Sequence, residues 1–126
     1  MNKPSVMIVD DSNLVRMRIR KLLKEHVGRF WEASDGVSAV NLYELLQKRA
    51  ELPDIIFMDI TMRYVDGAEA SQSIIEMNPD ARIIIVSAVN SADEIKRCIG
   101  IGVRDYLVKP FLDEKLLAAF HNQLDD

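Results

Sequence analysis

Five short apolar runs punctuate the chain, separated by amphipathic stretches. The runs are Val6-Met7-Ile8-Val9, Phe30-Trp31 with polar flanks, Ile55-Ile56-Phe57-Met58, Ile83-Ile84-Ile85-Val86 and Tyr106-Leu107-Val108. Each has about the length of a strand and is rich in β-branched or aromatic side chains. They are continuous rather than alternating, which predicts strands buried on both faces, as in a parallel sheet. Between them, apolar residues recur at spacings of three and four, the mark of helices with one buried face. The predicted stripes are Val15, Ile19, Leu22 and Leu23; Ala39, Val40, Tyr43 and Leu46; Ala70, Ile74 and Met77; Ile95, Cys98 and Ile99; and Leu116, Phe120 and Leu124. Ser12, Asp35 and Asp66 stand where helix N-caps belong, and Ser91 with Glu94 reads as a capping box. Asn78-Pro79 and Gly102 are stop signals for the third and fourth helices. Five successive β-α units predict an α/β domain with a parallel sheet, helices on both faces and right-handed crossovers. The pattern alone leaves the strand order open.

Composition narrows the function. At 126 residues, with no repeat, linker or low-complexity stretch, residues 1–126 read as one domain. Sixteen basic and twenty acidic residues give a net charge of −4, which argues against a general affinity for nucleic acid or anionic membrane. The single cysteine, Cys98, excludes an internal disulfide and suits a reducing compartment. With only two histidines beside it, no Cys/His zinc cluster can form. The first apolar run stops at Asp10, too soon for a signal peptide or a membrane span. The expectation is a cytoplasmic domain without membrane insertion.

The informative positions are those that follow the apolar runs. The first strand ends in Asp10-Asp11, the third in Asp59, the fourth in Ser87 and the fifth in Lys109-Pro110. In a parallel sheet these ends share one edge, the edge at which open α/β sheets bind ligands. Singly, each residue has an ordinary explanation: an Asp after a strand commonly caps a turn, and a Ser or Lys there is commonly a solvated loop residue. Together they deliver three carboxylates, a hydroxyl and an ammonium to one rim. Like charges a few ångströms apart repel by roughly 1 kcal/mol in water and by several at an effective dielectric near 20. A divalent cation relieves that repulsion, and all-oxygen ligands select a hard one, Mg²⁺, Mn²⁺ or Ca²⁺; few protein ligands leave open positions, which suits Mg²⁺ shared with a phosphate oxygen. Lys109 and Ser87 suit a phosphoryl group, and Asp is a phosphate-accepting nucleophile.

These residues resemble the receiver domain of bacterial two-component response regulators, most closely the single-domain chemotaxis type. The resemblance rests on Val9-Asp10-Asp11-Ser12 with Arg16 behind it, Asp35-Gly36, Met58-Asp59-Ile60-Thr61-Met62 with Asp66-Gly67, Val86-Ser87-Ala88, and Asp105 to Phe111. It spans about Ser5 to Leu124 and implies a flavodoxin-like sheet of order 2-1-3-4-5 with five helices. It further implies that Asp59 accepts a phosphoryl group from a sensor histidine kinase or phosphotransfer protein. Asp11, Asp59 and the Thr61 backbone carbonyl would bind Mg²⁺, with Asp10 acting through a water. Lys109 would contact the phosphoryl oxygens. Ser87 would turn toward them and Tyr106 would follow, reshaping the face of the fourth helix, fifth strand and fifth helix where a downstream protein docks. Lys109-Pro110 would be cis. Thr61 and Val89, two residues beyond Asp59 and Ser87, would border the path of the hydrolytic water, and neither assists it, so slow self-dephosphorylation is expected. Such a domain is a switch, not an enzyme on other substrates. One position departs from the family: Arg63 stands where Pro is usual, which frees a backbone dihedral and adds a cation beside the acidic rim.

Other residues carry less. His26 and His121 read as helix-end residues, Cys98 and Trp31 as packing, and the basic face of the first helix as solvated. Leu42 and Leu45 fall off their stripe and read as exposed. The chain ends at Asp125-Asp126 directly after the last predicted helix, which suits a free-standing protein as well as a receiver excised from a longer regulator with a DNA-binding or enzymatic output domain. A Mg²⁺-dependent phosphohydrolase would carry a second Asp two residues after the nucleophile, where Thr61 stands. A flavin protein would need a phosphate-cradling loop after the first strand, where Asp10-Asp11 would repel the phosphate.

Overall fold

A computed structural model of the chain describes residues 2–124. The terminal Asp125-Asp126 lies outside the described residues. Strands β1 (Ser5–Val9), β2 (Arg29–Ala33), β3 (Ile55–Met58), β4 (Ile83–Ser87) and β5 (Asp105–Val108) alternate with helices α1 (Asn13–Leu23), α2 (Gly36–Lys48), α3 (Gly67–Met77), α4 (Ala92–Ile101) and α5 (Asp113–Leu124). All the strands pair in parallel, in the order β2-β1-β3-β4-β5.

The continuous apolar runs follow from the two-sided burial. Met7, Val9, Ile56, Met58, Ile83 and Ile85 face a core completed by Ala39, Tyr43, Ile74 and Cys98 of α2, α3 and α4. The intervening residues Val6, Ile8, Ile55, Phe57, Ile84 and Val86 face Ile19, Leu23, Leu116 and Phe120 of α1 and α5. Period-two alternation thus feeds two cores from one strand. Each cap predicted from sequence forms: Ser12, Asp35, Asp66 and Ser91 accept from the backbone N–H three residues on, at 2.8–3.2 Å. Gly102 ends α4 at φ 117°.

Four details differ from expectation. Ile99 lies half exposed, because α4 buries only Cys98 fully. The Ser91–Glu94 box is half made: the Glu94 carboxylate turns instead to Arg97 at 3.2 Å, a stronger charged partner than a backbone amide. Leu42 packs against the core, while Leu45 is exposed. The basic face of α1 is partly pinned: Arg16 and Arg20 clasp Glu32 on β2 at 3.0 and 2.9 Å, and Arg18 bonds Asp113 at 2.7 Å and stacks over Phe111.

Tyr43 shows how the α2–α3 layer is fixed. Its ring is buried, and its hydroxyl accepts from Asn78 Nδ2 at 3.0 Å. The Asn78 Oδ1 in turn accepts from the Asp80 N–H at 3.1 Å. Asn78→Ala leaves the buried hydroxyl without its donor and opens the turn after α3. It should lower stability by about 1–3 kcal/mol in denaturant unfolding, and Tyr43→Phe, which leaves Asn78 able to meet water, by less, about 0.5–1.5 kcal/mol.

Candidate functional site

The rim at the C-terminal ends of the strands is built by extending the sheet's own hydrogen bonds. The Asp10 N–H donates to the Ala33 carbonyl at 3.1 Å, the Asp59 N–H to the Val9 carbonyl at 2.9 Å, and the Lys109 N–H to the Ser87 carbonyl at 2.8 Å. Each functional residue is therefore held by one more rung beyond its strand. The order β2-β1-β3 places β1 and β3 side by side, which brings Asp10, Asp11 and Asp59 together. One carboxylate oxygen from each lies within 4.8 Å of the others. Asp10 and Asp59 are buried, and Asp11 is exposed at the mouth.

Among the described residues, one cation pairs with these carboxylates. Lys109 Nζ lies 2.8 Å from Asp10 Oδ2 and 3.6 Å from Asp59 Oδ1. The other Asp10 oxygen accepts from the Ser12 N–H at 2.9 Å. Asp10 is thus both the turn residue that opens α1 and a member of the charged cluster. Burial, with the charges of Asp10 and Asp11, pushes the Asp59 carboxyl up from 3.8 to about 6, against the pull of Lys109. An all-oxygen donor set with unrelieved negative charge suits a hard divalent cation such as Mg²⁺.

Ser87 is fully buried, and its hydroxyl accepts from the Val89 N–H at 3.1 Å. The Val89 carbonyl accepts from the Tyr106 hydroxyl at 2.5 Å. Ser87, Val89 and Tyr106 thus form a chain from the rim to β5. The resemblance implied that Ser87 and Tyr106 move together; Val89 as the bridge between them is a backbone role that no side chain advertises. Lys109-Pro110 is cis, as the resemblance implied. Thr61 and Arg63 sit exposed in the loop after β3. Arg63 and Tyr64 line a shallow hollow with Asp11, Ser34 and Asp35. Cys98 is buried, with its thiol pushed up to about 11 chiefly by desolvation, so it is core and not a nucleophile. His26 and His121 meet edge to face at 5.0 Å.

Gly36 and Gly67, which stand in the family motifs, have a packing role that the motifs alone do not state. A Cβ on Gly67 would lie 1.8 Å from the Asp59 carbonyl oxygen, and one on Gly36 would lie 2.3 Å from that of Val65. Their visible signal is placement: each directly follows a helix-capping Asp.

An open parallel sheet whose switch-point edge gathers a buried Asp59, Asp10, Asp11 and Lys109 is the architecture of a receiver-type signalling domain. The family model for the response regulator receiver domain matches residues 6–121, and the chain belongs to that family. It is 36% identical over 115 residues to Protein CcdB of Bacillus subtilis, covering 90% of this chain and 92% of that protein. It is 35% identical over 121 residues to the chemotaxis protein CheY of the same organism, covering 95% and 97%. A solved CheX–CheY–BeF3–Mg²⁺ complex from Borrelia burgdorferi matches with a TM-score of 0.90 and 29% identity, over 98% of this chain and 90% of that one.

The raised Asp59 carboxyl has a sign that can be measured. Between pH 3.8 and about 6 the unfolded chain has lost the proton that the folded, metal-free chain still holds. The stability this proton lends is full below pH 3.8 and is lost as pH rises through about 6. Asp59→Asn removes the titration. The variant's stability advantage over wild type in EDTA should grow across that window by about 2–3 kcal/mol and then level off. Denaturant unfolding at several pH values checks this, and a difference that stays constant with pH contradicts it.

Proposed function

We propose that residues 1–126 form a single cytoplasmic receiver domain that accepts a phosphoryl group on Asp59 in a Mg²⁺-dependent reaction. The observation that carries this is the buried Asp59 carboxylate, set beside Asp10, Asp11 and Lys109 at the switch point of the sheet. Donors of the histidine-kinase or phosphotransfer class fit the family. A location in the cytoplasm is supported by the free buried Cys98 and by the lack, among the described residues, of any helix long and apolar enough to cross a membrane.

An Asp59 carboxylate oxygen attacks phosphorus, the bond from phosphorus to the donor's imidazole nitrogen breaks, and the imidazole keeps the electron pair. An acyl phosphate forms on Asp59. Asp11, Asp59 and the Thr61 carbonyl would hold Mg²⁺, with Asp10 acting through a water. The metal, when bound, offsets the carboxylate charge and polarises the phosphoryl oxygens. Lys109, already within reach of Asp10 and Asp59, exchanges part of that pairing for a phosphoryl oxygen. The Ser87 hydroxyl turns from the Val89 N–H to donate to the phosphoryl group, and Val89 carries the change to Tyr106. Only contacts that differ between the two states can shift their populations. The surface affected is that of α4, β5 and α5, where Ile99 on α4 and Leu112 just before α5 stand exposed for a downstream protein.

Acetyl phosphate with Mg²⁺, or with Mn²⁺, should add one phosphoryl group, seen by mass spectrometry, and Asp59→Asn should abolish it. Ser87→Ala should still be labelled but lose the phosphate-dependent change in the Tyr106 resonances. Undiminished labelling of the Asn variant removes Asp59 from the role.

Lifetime is set by the attacking water. Thr61 is small and Val89 is apolar and half-buried, so neither orients it. The double variant Thr61→Asn, Val89→Glu should shorten the decay of the phosphorylated protein several-fold once the donor is removed. Decay no faster than wild type would mean that other groups control water access.

A further inference from the structure

The loop between β3 and α3 carries the Thr61 carbonyl, and it rests against the start of a helix that no role has so far involved. At Gly36, the first residue of α2, an added Cβ would lie 2.3 Å from the Val65 carbonyl oxygen and 3.0 Å from the Val65 Cβ. Separations below 3.0 Å to backbone force one side to move. We infer that Gly36 is a positioning residue for the metal-binding loop: its bare backbone sets where the 61–65 segment lies, and hence where the Thr61 carbonyl points. The inference rests on the metal site proposed above.

The helix side cannot give way. Asp35 caps α2 with both carboxylate oxygens, one accepting from the Ser38 N–H at 2.8 Å and the other from the Ser38 hydroxyl at 3.1 Å. Gly36 and Ala39 are both buried against the core side of α2. The two ends of the loop cannot give way either. The Gly67 N–H donates to the Ile60 carbonyl at 2.8 Å, Asp66 caps α3, and the Gly67 backbone lies so close to the Asp59 carbonyl that no side chain fits between. A displacement at Gly36 therefore falls on residues 61–65.

That segment is already held away from its resting conformation. Tyr64 has φ 68°, and the Val65 N–H donates across it to the Arg63 carbonyl at 2.9 Å. This is a three-residue turn with a left-handed aromatic centre, a conformation that persists only where the surroundings impose it. The Tyr64 side chain is 83% exposed, so its own packing does not impose it. The Val65 carbonyl seated on Gly36 is the contact that does. Because Arg63 stands where the family has Pro, the loop lacks a ring-fixed φ and leans on this seat.

The test is Mg²⁺ affinity, read by titration calorimetry on the intact protein, with phosphorylation by acetyl phosphate measured in parallel. Gly36→Ala should weaken Mg²⁺ binding by roughly tenfold, the usual scale for groups that orient a metal ligand. Saturating Mg²⁺ should restore its labelling to near the wild-type rate, because Asp59 and Lys109 are untouched. Leu46→Ala, a core deletion in the same helix away from the loop, should lower stability yet bind Mg²⁺ as wild type does. Tyr64→Pro, on an exposed side chain and unable to adopt a positive φ, should weaken Mg²⁺ like Gly36→Ala, and it decides the matter if the alanine variant does not fold. Wild-type affinity in the folded variants, or an equal loss in Leu46→Ala, overturns the inference. Failure of the wild type itself to bind Mg²⁺ overturns the metal site and the inference with it.

Discussion

Three carboxylates that would separate in water are kept within reach of one another by the backbone of a parallel sheet. Asp10 and Asp59 each donate one further ladder hydrogen bond beyond the end of a strand, to Ala33 and Val9. Neither can retreat without breaking the sheet edge. Their burial makes the repulsion larger than it would be at the surface, and Lys109 offsets only part of it. The packed strands below, apolar on both faces, hold this arrangement in place.

In the proposed role, this crowding is what would make the site responsive. A metal ion or a phosphoryl group would enter a place where three carboxylates face one lysine, so its binding would change local interactions by more than on a solvated surface. The change has a short route out. Among the described residues Ser87 is the only buried hydroxyl at the rim, and its partner Val89 also holds Tyr106. In the proposed switch, rotation of Ser87 would alter the anchor of the Tyr106 ring on β5, next to exposed apolar residues of α4 and of the segment before α5. The glycines work in the opposite direction: Gly67 and Gly36 let backbone approach backbone and so limit how far the loop after β3 can drift.

Much of this was legible in the chain itself. The apolar runs marked the strands, because strands buried on both faces need no polar alternation. The residues after each run marked the rim, because a parallel sheet aligns all its C-terminal ends. Strand order was not legible from pattern, since any order satisfies the same burial; it came with the family resemblance. Ile99 was misjudged because a stripe of three apolar residues does not say how wide a helix face the core covers. The basic face of α1 is largely exposed as expected, but the ion pairs of Arg16, Arg18 and Arg20 were not legible, because their partners, Glu32 and Asp113, are distant in sequence. The Val89 bridge and the Gly36 seat were invisible for a shared reason: both act through backbone atoms, which every residue possesses.

The central claim is that the fold crowds Asp59 against Asp10 and Asp11, a repulsion that a cation would relieve. The pH dependence of Mg²⁺ affinity tests it most directly. Binding to the ionised carboxylate must displace the proton, so log K should climb with pH to about 6, where Asp59 titrates, with close to one proton released per ion at the acid end, and then flatten. Affinity that does not change between pH 5 and 7, or binding with no proton released at pH 5, would show that Asp59 is not the group that the cation relieves.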